Sequence, residues 1–386
     1  MKILHICLAC FYIDNYGYQE NILPKYHKKL GYDVSILASL LSFNKDGESC
    51  YLDKEDTYLN ENEIKVIRVD YLKRFKKISR FFRIFKNTYK IIEDENPDII
   101  FIHGCQFMDI ITVVKYLKKN RDVVVYFDNH ADEFNSASNW LSKNILHKFI
   151  WKYCAKKIEP YTKKIYGVLP IRETFLLKYY NMPKEKVELL PMGSDTEVLD
   201  EILKIENREK IRKDLNIKNS DFIIVTGGKI DYKKNIHLLI EAINQIGNKE
   251  IKLLIFGTYS KEIANKFEEL IKNENIIFLG WATLKEKYRY FIASDLAIFP
   301  GTHSTLWEEA VGCGIPCIFK LWDGMYHLDV GGNCEFMEEV STDIIIDKIL
   351  YFYNNRNKLI YMKNIANKKG KEVFSYENIA KRSIQF

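Results

Sequence analysis

Small and basic residues follow one apolar run of the chain, at the point where a strand would end. The run at 222–226 leads into Gly227, Gly228 and Lys229, and Lys234 comes just before a helical pattern. Glycine lets the backbone approach a ligand closely, and the first N–H groups of a helix are free to bind a phosphate. Lys229 and Lys234 are therefore candidates for binding a diphosphate beside Gly228, although lysines in such a segment are also common on a solvated surface.

A second group of polar residues follows the apolar run at 296–300. The small-residue turn at 302–305 precedes a helical pattern whose first turn carries Glu308 and Glu309. The amides of such a turn suit a phosphate, and Glu309, about one turn inside the helix, can accept hydrogen bonds from ribose hydroxyls. Carboxylates at a helix start also compensate the helix dipole, and we expect one of the two to do only that.

A histidine flanked by acids follows the apolar run at 123–127. His130 lies between Asp128 and Asp132, and such a cluster at the carboxyl end of a strand suits a functional site better than a core. No Asp-x-Asp pair follows a predicted strand. The sequence therefore predicts chemistry without a metal ion, and we expect no cofactor.

The elements that must position these residues alternate between apolar runs and helical patterns, in two successive series. The first series covers residues 1–195 and the second covers 196–369, with the charged segment 197–220 near the boundary. Strands that alternate with helices form parallel sheets covered on both faces, and ligands bind beyond the carboxyl ends of such strands. We therefore predict an α/β fold of two Rossmann-like domains facing across a cleft, with a C-terminal helix at about 370–386 packing on the first domain.

The composition limits the class of protein. A chain of 386 residues, of which 47% are hydrophobic, is long enough for two folded domains. It has no run of 18 apolar residues, and its first residues lack the cleavage site of a signal peptide. We therefore expect a cytoplasmic protein whose eight cysteines are reduced, with Cys7 and Cys10 as core or loop residues rather than a redox or metal pair.

The segment 71–90 is strongly basic, with eight lysine or arginine residues and no acid. Its apolar residues recur at steps of three and four, which predicts one amphipathic helix. These residues are Phe75, Ile78, Phe82, Phe85 and Tyr89. Such a helix suits the anionic inner face of a membrane, although an ordinary helix packed by its apolar face gives the same pattern. No nucleic-acid-binding motif accompanies it, so we expect no nucleic-acid partner.

Three stretches of the second series resemble one protein family. Residues 228–234 (GKIDYKK) resemble its G-R-L-x-x-x-K-G stretch, and residues 309–314 (EAVGCG) match the end of its E-G-F-G-L-x-x-L-E-A-M-A-C-G stretch. Leu279, Gly280 and Trp281 stand where the family's base-contacting loop is expected. The chain resembles, over nearly its whole length, the family 4 retaining glycosyltransferases, which have the GT-B fold.

The chain departs from the family pattern at several site positions. The family's arginine is Lys229 here, and its first glutamate, which usually touches the donor sugar, falls on Gly301. The family's Gly-Phe-Gly-Leu turn is replaced by polar residues. From the resemblance we expect Ser304 and Thr305 to bind the diphosphate through their amides, with His303 as a further donor.

The resemblance also assigns residues of the first domain. Gly17 resembles the glycine that lets a backbone amide reach the donor phosphate. The neighbouring Tyr12, Tyr16 and Tyr18 either stack on a saccharide acceptor or anchor the loop. His103, at the end of the strand at 99–103, either lines the acceptor pocket or is a buried structural histidine.

The family's histidine-acid cluster corresponds to residues 128–133. The resemblance places His130 near the reacting sugar, where it orients the sugar or its 6-hydroxyl, and Asp132 belongs to the same cluster. Lys229, Lys234 and Glu309 complete the set of residues expected to carry the reaction.

The resemblance implies a retaining, metal-independent transfer of a sugar from a nucleotide-sugar, with UDP as the expected base. A saccharide acceptor is implied, and the basic segment favours a lipid-linked one at the inner face of the membrane. Two alternatives stay open. Gly301 and Lys229 also fit a non-catalytic nucleotide-binding subunit, and the architecture also fits a sugar-nucleotide epimerase.

Overall fold

The computed structural model describes residues 1–43, 49–74, 76–322 and 324–385. The chain divides into two compact units. The first consists of Met1–Pro191 and the residues from Ile379 onward, and the second is Met192–Asn378. Each unit contains its own sheet, as the alternation of strands and helices predicts.

The first unit is built on an eight-stranded sheet. Its strands, with the separate two-stranded hairpin β3–β4, are β1 (Lys2–Cys7), β2 (Asp33–Ser39), β3 (Leu41–Phe43), β4 (Ser49–Tyr51), β5 (Asp56–Leu59), β6 (Lys65–Val69), β7 (Ile99–His103), β8 (Val124–Asn129), β9 (Thr162–Gly167) and β10 (Val187–Leu189). The order is β10-β9-β8-β7-β1-β2-β6-β5, and every pair is parallel except β5–β6. The predicted strands all form, whereas β3, β4 and the antiparallel edge strand β5 were not predicted.

The second unit contains a six-stranded, all-parallel sheet. Its strands are β11 (Phe222–Ile230), β12 (Ile251–Tyr259), β13 (Ile276–Phe278), β14 (Leu296–Phe299), β15 (Cys317–Lys320) and β16 (Cys334–Met337). The order β13-β12-β11-β14-β15-β16 places the loops after β13, β11 and β14 at one edge. Continuous apolar runs such as Phe222–Val225 are buried because helices cover both faces.

Helices connect the strands of both sheets. Those of the first unit are α1 (Gln19–Lys29), α2 (Lys76–Phe82), α3 (Thr88–Glu95), α4 (Ile110–Lys119), a π-helix (Ser142–Trp151) that continues as α5 (Lys152–Ile158), and α6 (Pro170–Tyr180). Those that follow are α7 (Thr196–Ile205), α8 (Arg208–Asp214), α9 (Ile236–Ile246), α10 (Ala264–Leu270), α11 (Leu284–Ala293), α12 (Leu306–Gly312), α13 (Thr342–Asn354), α14 (Arg356–Ile365), α15 (Lys371–Val373) and α16 (Tyr376–Ser383). Among the described residues, no helix is both long and apolar enough to cross a membrane.

The C-terminal helix α16 returns to the first unit, as predicted. Ser383 Oγ lies 2.8 Å from His27 Nε2 on α1, and Tyr126 on β8 donates a hydrogen bond to the Gln385 carbonyl. The end of the chain is therefore part of the first unit's core.

The prediction of one helix over 71–90 is wrong. Tyr71 forms a β-bridge with Phe85, and helix α2 spans only Lys76–Phe82. Arg83 and Asn87 both have a φ of 56°, and this left-handed conformation ends a right-handed helix. Phe85 is buried in the core while Ile78 is exposed, so the apolar residues do not share one face. Phe75 lies outside the described residues.

Candidate active site

The turns after β11 and β14 are bound tightly to each other in the second unit. Lys234 Nζ donates hydrogen bonds to the carbonyls of Thr302 and His303, at 2.7 and 2.8 Å. The Thr302 amide donates to the Lys233 carbonyl at 3.0 Å. A Cβ added at Gly301 would lie 2.3 Å from the backbone of Lys234. No side chain fits there, so the close contact of the two turns requires glycine at position 301.

The two lysines predicted to bind a diphosphate differ in their surroundings. Lys229 is exposed at the end of β11, beside Gly228, which has a φ of +109° that favours glycine. Lys234 is half-buried, and burial lowers the pKa of its ammonium group to about 8. Lys229 is therefore available to a ligand from solvent, whereas Lys234 holds the 302–303 turn in place.

Glu308 is fully buried between two histidines. Its carboxylate lies 2.9 Å from His303 Nε2 and 3.0 Å from His327 Nε2. Burial by itself would raise the pKa of Glu308, but the two imidazoles lower it to about 2. Glu308 is thus a buried anion that orients His303, and it does more than compensate the helix dipole.

Glu309 makes a different buried pair. Its Oε2 lies 2.7 Å from Lys287 Nζ on α11. Burial raises the pKa of Glu309, and the charge of Lys287 opposes that rise. Lys287 follows a capping box formed by Thr283 and Glu286, which fixes the start of α11.

Further predicted residues lie at the same edge of the second sheet. Leu279, Gly280 and Trp281 follow β13; the Gly280 carbonyl accepts a hydrogen bond from the Gly257 amide at 2.7 Å, and Trp281 is 71% exposed. Ser304 is half-buried and Thr305 is exposed, immediately before α12. A small pocket at this edge is lined in part by Gly227, Lys234, Ser304 and Trp307. The structure therefore brings the predicted donor residues of the second unit to one edge.

The first unit places a buried carboxylate between two histidines at the end of β8. Asp128 Oδ2 lies 2.8 Å from His103 Nδ1, and Asp128 Oδ1 lies 3.2 Å from His130 Nε2. The Gly104 amide and the Gln19 side chain also donate to Asp128. Burial would raise the pKa of Asp128, but the charges of His130 and His103 hold it well below its usual value.

The structure favours one of the two alternatives left open for His103 and for Tyr12. His103 is fully buried and bonded to His5 as well as to Asp128, so it cannot touch an acceptor. Tyr12 is also fully buried, and its hydroxyl accepts a hydrogen bond from Asn60, so it cannot stack on a saccharide. Both residues belong to the core of the unit.

The remaining predicted residues of the first unit lie on two loops. Tyr16 is half-buried and Tyr18 is exposed, with ring centroids 5.3 Å apart, and Gly17 is exposed between them. Asp132 is buried, accepts a hydrogen bond from Arg172 at 3.1 Å, and caps the Phe134 and Asn135 amides. Its bonds stabilise the turn that follows His130.

One cluster among the described residues brings together enough ligand atoms to consider a metal ion. These atoms belong to His103, Asp128 and His130, and they lie within 4.8 Å of one another. His103 uses both ring nitrogens in bonds to Asp128 and His5. Asp128 accepts hydrogen bonds from two further groups in addition to His103, and His130 Nε2 lies 3.2 Å from it. The cluster is therefore a hydrogen-bonded network.

Sequence reasoning missed several residues of these clusters. His327 lies 19 positions after Glu308, and Lys287 lies on a different helix from Glu309. No periodic pattern links either pair. Asp128 was noted only as a neighbour of His130, although its position at the end of a buried strand was the signal for it.

The chain is similar in sequence to known glycosyltransferases. Residues 207–369 match the family model described as glycosyl transferases group 1. An uncharacterized glycosyltransferase of Methanocaldococcus jannaschii is 25% identical over 222 residues, which cover 53% of this chain and 54% of that protein. The matched region thus spans about half the length of that relative.

Two further proteins match nearly the whole chain. The UDP-N-acetylglucosamine–N-acetylmuramyl-(pentapeptide) pyrophosphoryl-undecaprenol N-acetylglucosamine transferase of Clostridium tetani is 26% identical over 365 residues, 90% of this chain and 88% of that protein. The structure of HepE of Anabaena in complex with UDP is similar with a TM-score of 0.68 at 14% identity, covering 99% of this chain and 98% of that one. The family model thus matches most of the second unit, and the structural similarity shows that the chain has the GT-B fold.

Proposed function

We propose that the protein transfers a sugar from a UDP-sugar to a saccharide acceptor of bacterial surface glycan assembly, with retention of configuration and without a metal ion. The proposal rests on the residues at the loop edge of the second sheet. There the exposed Lys229, the turn held by Lys234 and the buried pair Glu309–Lys287 stand together. The names of the Clostridium and Anabaena proteins support UDP, and the former supports a lipid-linked acceptor.

The proposed donor site assigns one task to each group. Negative charge develops on the leaving diphosphate, so fixed donors around it lower the barrier. Lys229 and the amides of Ser304 and Thr305 bind the diphosphate, and Lys234 keeps their turn in position. Glu309 accepts hydrogen bonds from the ribose hydroxyls. Its raised pKa does not prevent this, because either carboxyl form has acceptor oxygens.

In this proposal, neighbouring residues of the second unit bind the base and the sugar of the donor. Leu279, Gly280 and Trp281 contact the base, with Trp281 as the exposed aromatic surface. His303, oriented by Glu308, donates to the donor sugar in place of the missing family glutamate.

The first unit acts on the acceptor and the transferred sugar in this proposal. His130, fixed by Asp128, orients a hydroxyl of the sugar, and Asp132 holds the turn beside it. Tyr16 and Tyr18 offer aromatic surface to the saccharide acceptor.

The test is a turnover assay with UDP-, GDP- and ADP-sugars and both free and lipid-linked saccharides. UDP release together with an acceptor that gains the mass of one sugar would support the proposal. Binding of UDP without turnover on any acceptor would favour the non-catalytic subunit. Conversion of the UDP-sugar to an isomer without acceptor would show an epimerase and contradict the proposal.

We propose further that the protein contacts an anionic membrane through residues 139–158 together with helix α2 of the segment 71–90. Residues 139–158 carry five lysines and no acid. On the same stretch Trp140 and Phe149 are 71% and 70% exposed, and Leu141 and Tyr153 are also exposed. Aromatic and cationic side chains together suit the headgroup layer of an anionic bilayer.

The basic segment 71–90 lies beside this surface. The Arg83 guanidinium packs on the ring of Trp151, 5.7 Å from its centroid, so the end of α2 contacts the π-helix. Ile78 and Phe81 on α2 are exposed. The π-helix and α2 together therefore form the proposed membrane contact.

Sedimentation with vesicles tests the membrane contact. Wild-type protein is expected to bind vesicles containing phosphatidylglycerol and not pure phosphatidylcholine. The double change Trp140→Ala and Phe149→Ala should lower partitioning by about tenfold or more, because each aromatic side chain contributes roughly 1.5–3 kcal/mol when buried. Trp281→Ala, at an equally exposed tryptophan of the second unit, is the matched control. Equal partitioning of the double variant and this control would contradict the assignment.

A further inference from the structure

Three buried histidines of the first unit form a continuous hydrogen-bonded chain. His103 Nε2 lies 3.0 Å from His5 Nδ1, and His5 Nε2 lies 3.0 Å from His27 Nδ1. His27 Nε2 lies 2.8 Å from the hydroxyl of Ser383 on α16. All four side chains are fully buried, and the chain joins the carboxylate of Asp128 to the C-terminal helix.

The partners at the two ends limit where the protons can be. Ionised Asp128 only accepts, so His103 Nδ1 must carry a hydrogen. At the other end, Ser383 donates to the Ala380 carbonyl at 2.8 Å. Its hydroxyl has used its only hydrogen there, so it can only accept from His27 Nε2.

These two limits set which group donates in each hydrogen bond between the histidines. His27 must carry its hydrogen on Nε2, so His27 Nδ1 accepts from His5 Nε2–H. His5 Nδ1 then accepts from His103 Nε2–H, and His103 carries a hydrogen on both nitrogens. A neutral His103 would reverse every bond; each hydrogen would still have an acceptor, but the Ala380 carbonyl would lose the hydrogen of Ser383.

The charges around the rings agree with this direction. Burial lowers the pKa of His5 well below its usual value and that of His27 to about 3, so both are neutral. Burial also disfavours a charged His103, but the Asp128 carboxylate raises the pKa of His103 to about 9, with Cys7 and Glu20 acting in the same sense. One charged ring and two neutral rings are what the hydrogen-bond pattern requires.

We propose that His103, His5 and His27 are positioning residues through which Ser383 on the C-terminal helix fixes Asp128, and through Asp128 the ring of His130. The helix α16 thus acts on the active site without touching substrate. Replacing His27 frees His5 to rotate or to accept a hydrogen bond from water. His5 then no longer holds His103 against Asp128. This inference rests on the proposed role of His130.

The first test reads the tautomers by NMR of protein labelled with ¹⁵N-histidine, which needs no activity. At pH 7 we expect His5 and His27 as neutral rings protonated at Nε2, and His103 protonated on both nitrogens. A hydrogen on Nδ1 of His5 or His27 would overturn the proposal.

The second test measures transfer by variants at the far end of the chain. His27→Phe keeps an aromatic ring and removes both nitrogens, and Ser383→Ala removes only the last acceptor. We expect kcat to fall by about tenfold in His27→Phe, with a donor KM changed by less than about twofold. Ser383→Ala should show a smaller fall that Ser383→Thr restores.

His147→Phe is the matched control. His147 is another buried histidine of the same unit, bonded to Tyr180 and Ser136 rather than to the chain. It should lose comparable stability while keeping kcat within about twofold. An unchanged kcat in folded His27→Phe, or an equal loss in His147→Phe, would contradict the proposal. If wild-type protein shows the expected tautomers but transfers no sugar, the proposed function fails and the chain of histidines stands.

Discussion

The two units contain the same arrangement in different settings: a buried carboxylate between two histidines at the loop edge of a parallel sheet. In the first unit Asp128 lies between His103 and His130. In the second, Glu308 lies between His303 and His327. In each case burial would raise the pKa of the acid, and the imidazoles lower it instead.

The settings differ in how the groups are held. His103 and Asp128 end adjacent strands, β7 and β8, and the histidine chain extends from them into the core. His303 lies in the turn held by Lys234, and His327 lies in a short 3-10 segment, Tyr326–Leu328. We infer that the first cluster is a rigid support for one half-buried residue, His130. The second belongs to a turn whose shape depends on Lys234.

Removing the charge of Asp128 should have the largest effect on stability. Asp128→Asn leaves charged His103 buried without its partner, and breaking a buried pair costs roughly 3–5 kcal/mol of unfolding free energy. Asp109→Asn is the control, because Asp109 is a buried carboxyl bonded to the hydroxyls of Thr88 and Thr112. Urea unfolding measures both, and similar losses for the two variants would show that the His103–Asp128 pair is not special.

The pH dependence of unfolding should separate the two clusters. The raised pKa of His103, about 9, stabilises the fold below its unfolded value near 6.5, and this stability is lost as the pH rises through about 9. The lowered pKa of Glu308, about 2, stabilises the fold above pH 4–5, and this stability is lost as the pH falls toward 2. Each effect is on the order of 3 kcal/mol.

Two variants test which residue causes the loss of stability at high pH and which contributes to the loss at low pH. His103→Gln should remove the loss at high pH, whereas Glu308→Gln should keep that loss and lessen the loss at low pH, to which Asp128 also contributes. Unfolding free energies at several pH values measure this. A high-pH loss that persists in His103→Gln would contradict the assignment.

The two lysines of the proposed donor site should differ in their effect on transfer. Lys234→Ala removes the bonds that shape the 302–303 turn, and kcat/KM should fall by at least about 100-fold, roughly 2.7 kcal/mol. Lys229→Ala removes one exposed cation and should cost about tenfold, mainly in the donor KM. A loss below about tenfold for Lys234→Ala would remove it from the site.

Chelation should have the smallest effect. EDTA is expected to leave the transfer rate unchanged, because lysines and amides are proposed to bind the diphosphate. Loss of activity in EDTA that Mg²⁺ restores would show a metal-dependent reaction.

Much of the fold follows from local patterns in the sequence. Continuous apolar runs predict the buried parallel strands, and the helical patterns between them predict the order of elements. The residues after β8, β11, β13 and β14 were identifiable because parallel strands end at one edge of a sheet. Strand β5 and the hairpin β3–β4 lack such runs, so the pattern does not reveal them.

The remaining features depend on contacts between distant residues. The spacing of Phe75, Ile78, Phe82, Phe85 and Tyr89 predicts a helix, but a bridge from Tyr71 to Phe85 and left-handed residues at 83 and 87 replace it. His327 reaches Glu308, and Ser383 reaches His27, only because the chain folds back. No local periodicity encodes such pairs.

Thermal unfolding with a panel of nucleotides and nucleotide-sugars tests the central claim most directly. A ligand at one hundred times its Kd adds about 2.7 kcal/mol of stability. We expect UDP and one or more UDP-sugars to raise the Tm, with GDP, ADP and CMP compounds giving smaller shifts, and Lys229→Ala to weaken the UDP shift. The absence of a shift with any nucleotide would contradict the donor site formed by Lys229, Lys234 and Glu309.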